Sequence, residues 1–193
     1  LYIIARLGAD GADYRAVEFD GPAVRRMTVA SRMVLANLSM EMGAKAAFTP
    51  VDGIAPDAAA RYEREIRIDL DREVREPQIA CPHAVDNVVD AREREGTRVD
   101  QVVIGSCTNG RYDDICAAAA LMKGKKIAPH VRVLVFPASW RIYRRLLRDG
   151  VLENSLQRAA IVIELEVVHE QAHLLAVAGI AHRLVVHVLD TCA

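Results

Sequence analysis

The stretch Val102-Val103-Ile104-Gly105-Ser106-Cys107-Thr108-Asn109-Gly110-Arg111 carries the strongest indication of the fold. Aliphatic residues followed by a glycine and short polar residues are typical of a buried strand that ends in a tight turn. Gly105 and Gly110 permit backbone conformations that other residues rarely adopt. The sequence therefore predicts a strand over 99–104, a turn over 105–110 and, from the alanine-rich segment that follows, a helix over 113–122.

Strands and helices continue to alternate after this turn. The hydrophobic pattern predicts further strands over 131–136, 159–168 and 184–189, and helices over 140–148 and 170–178. Ser139 is expected to cap the helix over 140–148. Buried strands that alternate with helices indicate a parallel sheet covered on both faces. The expected fold is α/β, a three-layer α/β/α arrangement with a mostly parallel sheet, and the strand over 184–189 is expected to join it.

The amino-terminal side has a different pattern. After a strand-like opening, apolar residues spaced near 3.6 over 21–42 predict a helix that ends at Gly43. Asp57 is expected to cap a polar helix that continues to about Arg67. Prolines and a charged run make 77–98 a candidate linker. The predicted organisation is a helix-rich α/β lobe over 1–76, a linker over 77–98 and an α/β lobe over 99–193.

Composition and charge exclude several classes of protein. Of the 193 residues, 52% are hydrophobic, and 25 basic residues stand against 26 acidic ones. The absence of a basic excess argues against a nucleic-acid partner, and no polybasic arm or long apolar run indicates a membrane. The chain has no signal-peptide pattern and no initiator Met, so we expect a processed chain or a fragment. Four widely spaced cysteines predict a reducing, cytoplasmic location.

Cys107 is the most reactive side chain in the turn. It lies where a strand meets a turn, and backbone amides there can favour a thiolate. From the residues alone it could be a nucleophile, an iron ligand or a buried thiol without a function, because free cysteine is often simply buried. The residue chemistry leaves these three alternatives open.

The segment Ile104–Arg111 resembles the signature of the large domain of the aconitase superfamily, and its Gly-Arg ending is similar to the isopropylmalate and homoaconitate branch. Further segments resemble the family in the same order along the chain: Gly8–Gly21, Met27–Ala46, Asp100–Val103, Asp113-Asp114, Ala117–Ala120, Lys123-Gly124-Lys125 and Phe136-Pro137-Ala138-Ser139. The resemblance extends over roughly residues 1–160.

The resemblance implies an iron-sulfur hydro-lyase. Members of the family isomerise a hydroxy di- or tricarboxylic acid, of the 3-isopropylmalate or homoaconitate type in this branch, by dehydration and rehydration. A [4Fe-4S] cluster held by three thiolates keeps one iron open to substrate, and that iron acts as a Lewis acid. The implied partner is a small subunit that carries the swivel domain.

The resemblance also implies roles for individual residues. Cys107 matches one of the three cluster thiolates. Asn37 and Glu41 match an amide and a carboxylate near the cluster and substrate, and their i, i+4 spacing would place both on one helix face. The alternative for this pair is a solvated polar surface. Asn109 and Arg111 are candidate substrate-binding residues, although Asn109 could instead brace the turn and Arg111 could lie on the surface.

The sequence departs from the family pattern from about residue 161. The Cys-x-x-Cys segment that supplies the other two thiolates is absent, so the chain alone is expected not to hold a competent cluster. A truncated or degenerate relative that has lost the cluster is therefore the alternative function. A third interpretation is a zinc hydrolase, because His169-Glu170-Gln171-Ala172-His173 fits the H-E-x-x-H pattern with Glu170 as base. Two unrelated histidines on a polar helix would give the same pattern.

Overall fold

The computed structural model describes residues 1–52, 54, 56–152, 160–161 and 183–189. The chain divides into two compact units, one of Leu1–Glu95 with His173–Ala193 and the other of Gly96–Ala172. The elements along the chain are α1 (Tyr2–Leu7), β1 (Ala16–Asp20), α2 (Pro22–Arg26), α3 (Val29–Leu38), a 3-10 helix (Ser39–Met42), β2 (Ala46–Phe48), β3 (Arg64–Asp69), α4 (Leu70–Glu73), β4 (Gln78–Ala80), β5 (Val88–Asp90), a 3-10 helix (Ala91–Arg94), β6 (Gln101–Gly105), α5 (Ser106–Asn109), α6 (Tyr112–Met122), β7 (Arg132–Phe136), α7 (Trp140–Arg148), β8 (Ala160–Ile161) and β9 (Arg183–Leu189).

The first unit is built on a four-stranded mixed sheet in the order β2-β1-β9-β3. β1 is parallel to β2, whereas β9 is antiparallel to both β1 and β3. The hydrophobic core beside this sheet includes Val17, Phe19, Met42, Ile66 and Ile68. The expectation that the strand over 184–189 joins the second sheet is wrong, because an apolar pattern predicts a strand without specifying the neighbour with which it pairs.

The helix predicted over 21–42 is interrupted. Met27 takes an extended conformation after α2, and Thr28 begins α3 by accepting a hydrogen bond from the backbone N–H of Ser31 over 3.2 Å. An N-cap threonine satisfies an otherwise unpaired donor of the first turn, so a new helix starts there. After Leu38 the backbone tightens into the 3-10 helix, and Gly43 ends it at φ 78°, as predicted.

Two other predictions for the first unit are wrong. The opening is helix α1, not a strand, and the helix expected from Asp57 to about Arg67 does not form: turns and irregular backbone lead into the strand β3 at Arg64–Asp69. Ile66 and Ile68 are buried while Arg67 between them is exposed. This two-residue period is that of a strand with one face on the core, and the charged residues point away from it.

The segment over 77–98, predicted as a linker, is mostly folded onto the first unit. β4 and β5 pair as antiparallel strands, and Val85 between them packs against a small core of Ile4, Val34 and Leu38. The backbone N–H of Ala9 also donates to the carboxylate of Asp86 over 3.0 Å. Prolines and charges indicate turns and exposed faces, and they do not exclude a short hairpin between them.

The second unit contains a parallel sheet in the order β6-β7-β8, with α6 and α7 as its longer helices. Its core comprises Ile115, Ala119, Val133, Val135, Leu146 and Leu152. The α/β class and the helices predicted over 113–122 and 140–148 are confirmed, as is the cap at Ser139, which accepts from the N–H of Ile142. The strand predicted over 159–168 is present at Ala160–Ile161, and its remainder and the helix predicted over 170–178 lie outside the described residues. Within the described ranges, no helix has the length and apolar character that a bilayer crossing needs.

Candidate functional site

The turn after β6 depends on two glycines that pack against the end of β7. Gly105 has φ 111°, and a Cβ there would lie 2.2 Å from the carbonyl oxygen of Phe136. A Cβ on Gly110 would lie 2.6 Å from the same oxygen. The carbonyl oxygen of Gly110 accepts a hydrogen bond from the backbone N–H of Ala138 over 2.9 Å. The backbone of the turn is therefore held directly against the neighbouring strand, and only glycine fits at these two positions.

Cys107 is exposed, as is Ser106 before it. Cys107 lies in the one-turn helix α5, two residues after Gly105, which is the last residue of β6. The neighbouring Thr108 is buried, and its Oγ1 lies 3.8 Å from the Sγ of Cys107. Ser106 has φ 75°, an uncommon conformation for a residue with a side chain. The Cys107 thiol is therefore not buried, and it lies at the carboxyl end of a parallel strand.

Asn109 and Arg111 lie in the same turn and meet at Asp114. The carboxylate of Asp114 accepts from the backbone N–H of Arg111 over 3.1 Å and interacts with the side chain of Asn109. Burial raises the pKa of Asp114, while the interactions with the Arg111 N–H and with Asn109 oppose the rise because they stabilise the charged form. The Nε of Arg111 is buried and has no hydrogen-bond partner among the described residues. Asn109 and Arg111 thus both interact with Asp114 within the turn.

Asp114 was missed as a site residue from the sequence. It is the third residue of α6, where an acidic side chain commonly accepts from the backbone N–H of the cap residue. The usual signature has Ser or Thr at the cap, whereas this chain has Arg111. The recognisable half of the pattern is therefore absent, and only the folded turn shows that the contact is made.

Asn37 and Glu41 lie in the first unit, at the end of α3 and in the 3-10 helix that follows. Asn37 is half-buried and Glu41 is exposed. Their predicted common face relied on a continuous α-helix, but the change to 3-10 geometry at Ser39 adds rotation between them. An α-helix turns about 100° per residue and a 3-10 helix about 120°, so the two side chains lie roughly 80° apart about the axis instead of roughly 40°.

The described residues do not by themselves fit a four-iron cluster. Such a cluster with one open iron requires three thiolates. Of the other cysteines, Cys81 is half-buried in the first unit and Cys116 is half-buried on α6. No group of three or more His, Cys, Asp or Glu side chains that could hold a metal occurs in the described part of the chain. Cys192 and the segment His169–His173 lie outside it.

Comparisons with known proteins extend over most of the chain. The model of the aconitase family (aconitate hydratase) matches residues 1–57 and 53–164. The chain is 43% identical over 178 residues to the 3-isopropylmalate dehydratase large subunit 1 of Methanopyrus kandleri, and 44% identical over 176 residues to that of Archaeoglobus fulgidus, in each case over 84% of this chain and 42% of the relative. It is 43% identical over 173 residues to the probable methanogen homoaconitase large subunit of Methanosarcina mazei, over 81% of this chain and 43% of the relative. The chain therefore spans less than half the length of these relatives, and the family match ends near the point where the sequence pattern departs.

Proposed function

Because the chain belongs to the aconitase family, we propose that it is part of the large subunit of an iron-sulfur hydro-lyase acting on a hydroxy di- or tricarboxylic acid. The relatives named as 3-isopropylmalate dehydratase and homoaconitase large subunits support a substrate of one of these two types. The reaction is a dehydration followed by rehydration at the neighbouring carbon. The observation that carries the proposal is the exposed Cys107 at the carboxyl end of β6, in a turn whose backbone admits only glycine on either side of it.

In this proposal Cys107 supplies one thiolate ligand of a [4Fe-4S] cluster. Its exposure supports the role, because a ligand must reach a group that lies outside the packed core. The cluster, when it is held by three thiolates, provides an iron with an open position. The other two thiolates have to come from outside the described residues, so we assign Cys107 as one of the three thiolate ligands and not as part of a complete ligand set within them.

The remaining roles concern charge and hydrogen bonding to the substrate. Glu41 is an exposed carboxylate and Asn37 a half-buried amide, and we propose that both are catalytic residues, as their match to the family implies. Arg111 suits a substrate carboxylate, because a guanidinium forms strong charge-assisted hydrogen bonds. Asn109 would act beside it, with its side chain braced by Asp114.

The expected partner is the small subunit with the swivel domain. The relatives are all named as large subunits, which supports an assembly of two kinds of chain. A cytoplasmic location remains a prediction from the cysteine pattern.

A second candidate function is a non-catalytic relative that has lost the cluster. The observation that favours it is the absence, among the described residues, of a three-ligand metal group. Zinc hydrolysis by His169, Glu170 and His173 is a third candidate that rests on the sequence pattern alone. Metal analysis of the purified chain and of His173→Ala tests it, and zinc content that is unchanged in the variant would rule it out.

The iron-sulfur proposal is tested by anaerobic reconstitution with iron, sulfide and an excess of a small dithiol. The dithiol can supply the thiolates that the described residues lack, so we expect iron-sulfur absorption in the visible range that depends on Cys107. Without the dithiol we expect no stable four-iron spectrum. Cys107→Ser should lose the bound iron and sulfide, and Cys116→Ser should keep them.

Two results would contradict the proposal or its assignment to this turn. If Cys107→Ser retains as much iron and sulfide as the unmodified chain, Cys107 is not the ligand. If neither protein binds iron and sulfide under any of these conditions, the non-catalytic alternative is favoured. A stoichiometric, oxygen-sensitive cluster formed without dithiol would instead show that the chain holds a complete ligand set.

A further inference from the structure

We propose that Asp114 is a positioning residue that fixes the turn presenting Cys107, by holding the Asn109 side chain and the Arg111 backbone on one carboxylate. Its importance for catalysis rests on the function proposed above, whereas the contact itself belongs to the fold of the second unit. Neither the family match nor the names of the relatives assigns a role to this residue.

The anchor of this contact is rigid. Asp114 is the third residue of α6, and Ile115, which follows it, is completely buried in the core of the second unit. Ala119, one turn further along, is buried in the same core. A carboxylate in the first turn of a helix also lies in the favourable field of the helix amino terminus. Asp114 therefore offers its acceptor oxygens from a fixed point.

The turn is held against β7 at both ends of α5, where Gly105 and Gly110 lie against the Phe136 carbonyl. Between these points α5 is only four residues long, and isolated helical turns of that length are unstable in water. The hydrogen bond from the Arg111 N–H to Asp114, together with the interaction of the Asn109 side chain with the same carboxylate, ties the end of α5 to the start of α6. Without them, the turn that carries the exposed thiol would be held by its contacts with β7 alone and would lose its link to α6.

The neighbouring acid provides a matched control. Asp113 has the same charge and also lies in the first turn of α6, but it is exposed and makes no hydrogen bond to the turn within the described part of the chain. Removing either acid changes the net charge and the helix-dipole interaction alike. Only removal of Asp114 takes away the acceptor shared by Asn109 and Arg111.

The test compares Asp114→Ala and Asp113→Ala by hydrogen exchange resolved to short peptides and by the rate at which iodoacetamide alkylates Cys107. Hydrogen bonds to a charged group are strong enough that we expect exchange over 105–112 to become about tenfold faster in Asp114→Ala. The alkylation rate of Cys107 should change with it, while that of Cys116 in the same sample should not. Exchange over 132–136, which is strand β7, should stay as in the unmodified chain, as should all readouts in Asp113→Ala.

A purely stabilising role for Asp114 predicts a different pattern, in which exchange rises equally over the turn and over β7. That result would overturn the proposal, and so would unchanged exchange in Asp114→Ala or an equal effect of Asp113→Ala. If Asp114→Ala does not fold, Asn109→Ala, which removes one arm of the contact, should give a smaller increase confined to 105–112. The assay uses no iron and no substrate, so failure of the hydro-lyase proposal leaves its outcome unaffected.

Discussion

Gly105 shows how one residue type can be required for two reasons. Its φ of 111° and ψ of −120° lie in a region that residues with side chains rarely adopt, and a Cβ would meet backbone atoms of Phe136 that have no room to move. The strain therefore has a conformational part and a steric part. The steric part is specific to the turn that presents Cys107.

Gly105→Ala is expected to destabilise the second unit much more than Gly124→Ala does. Gly124 also has a positive φ, 74°, but an added Cβ would have no neighbour within 4 Å. We expect about 1 kcal/mol from conformational strain at Gly124, and a loss of several kcal/mol or of the folded unit at Gly105. Urea unfolding followed by the fluorescence of Trp140, the single tryptophan, measures both. Equal effects at the two glycines would show that the contact with Phe136 is relieved at little cost.

At the same scale, the sequence allowed Cys107 and its flanking glycines to be predicted, because a buried strand followed by glycine and small polar residues has few other structures. Asp114 could not be predicted as a site residue, since its role depends on the path of the turn between Asn109 and Arg111. Asn37 and Glu41 were placed correctly on a helical segment, but the 3-10 geometry that separates their directions has no clear sequence signal.

Among the elements, the second unit was predicted better than the first. Its strands are continuous apolar runs and its helices are bounded by recognisable caps, such as Ser139 before α7. In the first unit, β3 alternates isoleucine with charged residues over only six positions, which is also compatible with an exposed helix. Hydrogen bonding to β9, a strand more than a hundred residues later, makes this segment a strand and not a helix.

A hydrogen bond ties the approach to β3 to β1 and makes stability depend on pH. The hydroxyl of Tyr62 donates to Glu18 over 2.8 Å, and burial together with this carboxylate raises the pKa of Tyr62 to about 12. A raised phenol pKa means that folding favours the neutral form. The resulting stabilisation is fully present below pH 10, the ordinary pKa, and is lost as the pH rises through about 12.

Tyr62→Phe should therefore lower the free energy of unfolding by about 1 kcal/mol at pH 8, the typical net value of one hydrogen bond. Between pH 10 and 12 the unmodified chain should lose stability and approach the variant. Thermal unfolding followed by circular dichroism across this range measures the difference. A difference between the two proteins that is constant from pH 8 to 12 would contradict the assignment.

For the molecule as a whole, the first unit exposes several large apolar side chains. Val29, Met40, Phe48 and Ile54 are exposed to between 55% and 73%. Exposed apolar surface of this kind promotes association with other polypeptide chains. The matched segment is less than half of the relatives' length. The family could be recognised from the sequence, but the sequence does not show which other parts of a longer protein would cover these side chains.

The chain is accordingly expected to self-associate at micromolar concentration. Phe48→Ser with Ile54→Ser should shift the distribution towards monomer in sedimentation velocity, because both side chains lose their apolar surface without affecting the core. Leu121→Ser is the control, since Leu121 is 62% exposed but belongs to the second unit. A monomeric unmodified chain, or an equal shift in the Leu121 variant, would contradict the prediction.

The position of β9 also has a consequence for how the chain acquires its structure during synthesis. Because β9 lies between β1 and β3, the nascent amino-terminal half leaves the ribosome with two strands that still lack their central neighbour. Gly96–Ala172 is translated in full before that neighbour appears, and contacts this distant in sequence form slowly. The first unit therefore begins to be synthesised first but finishes folding last. Until β9 is made, the unpaired edges of β1 and β3 are the surface to which we expect a chaperone to bind.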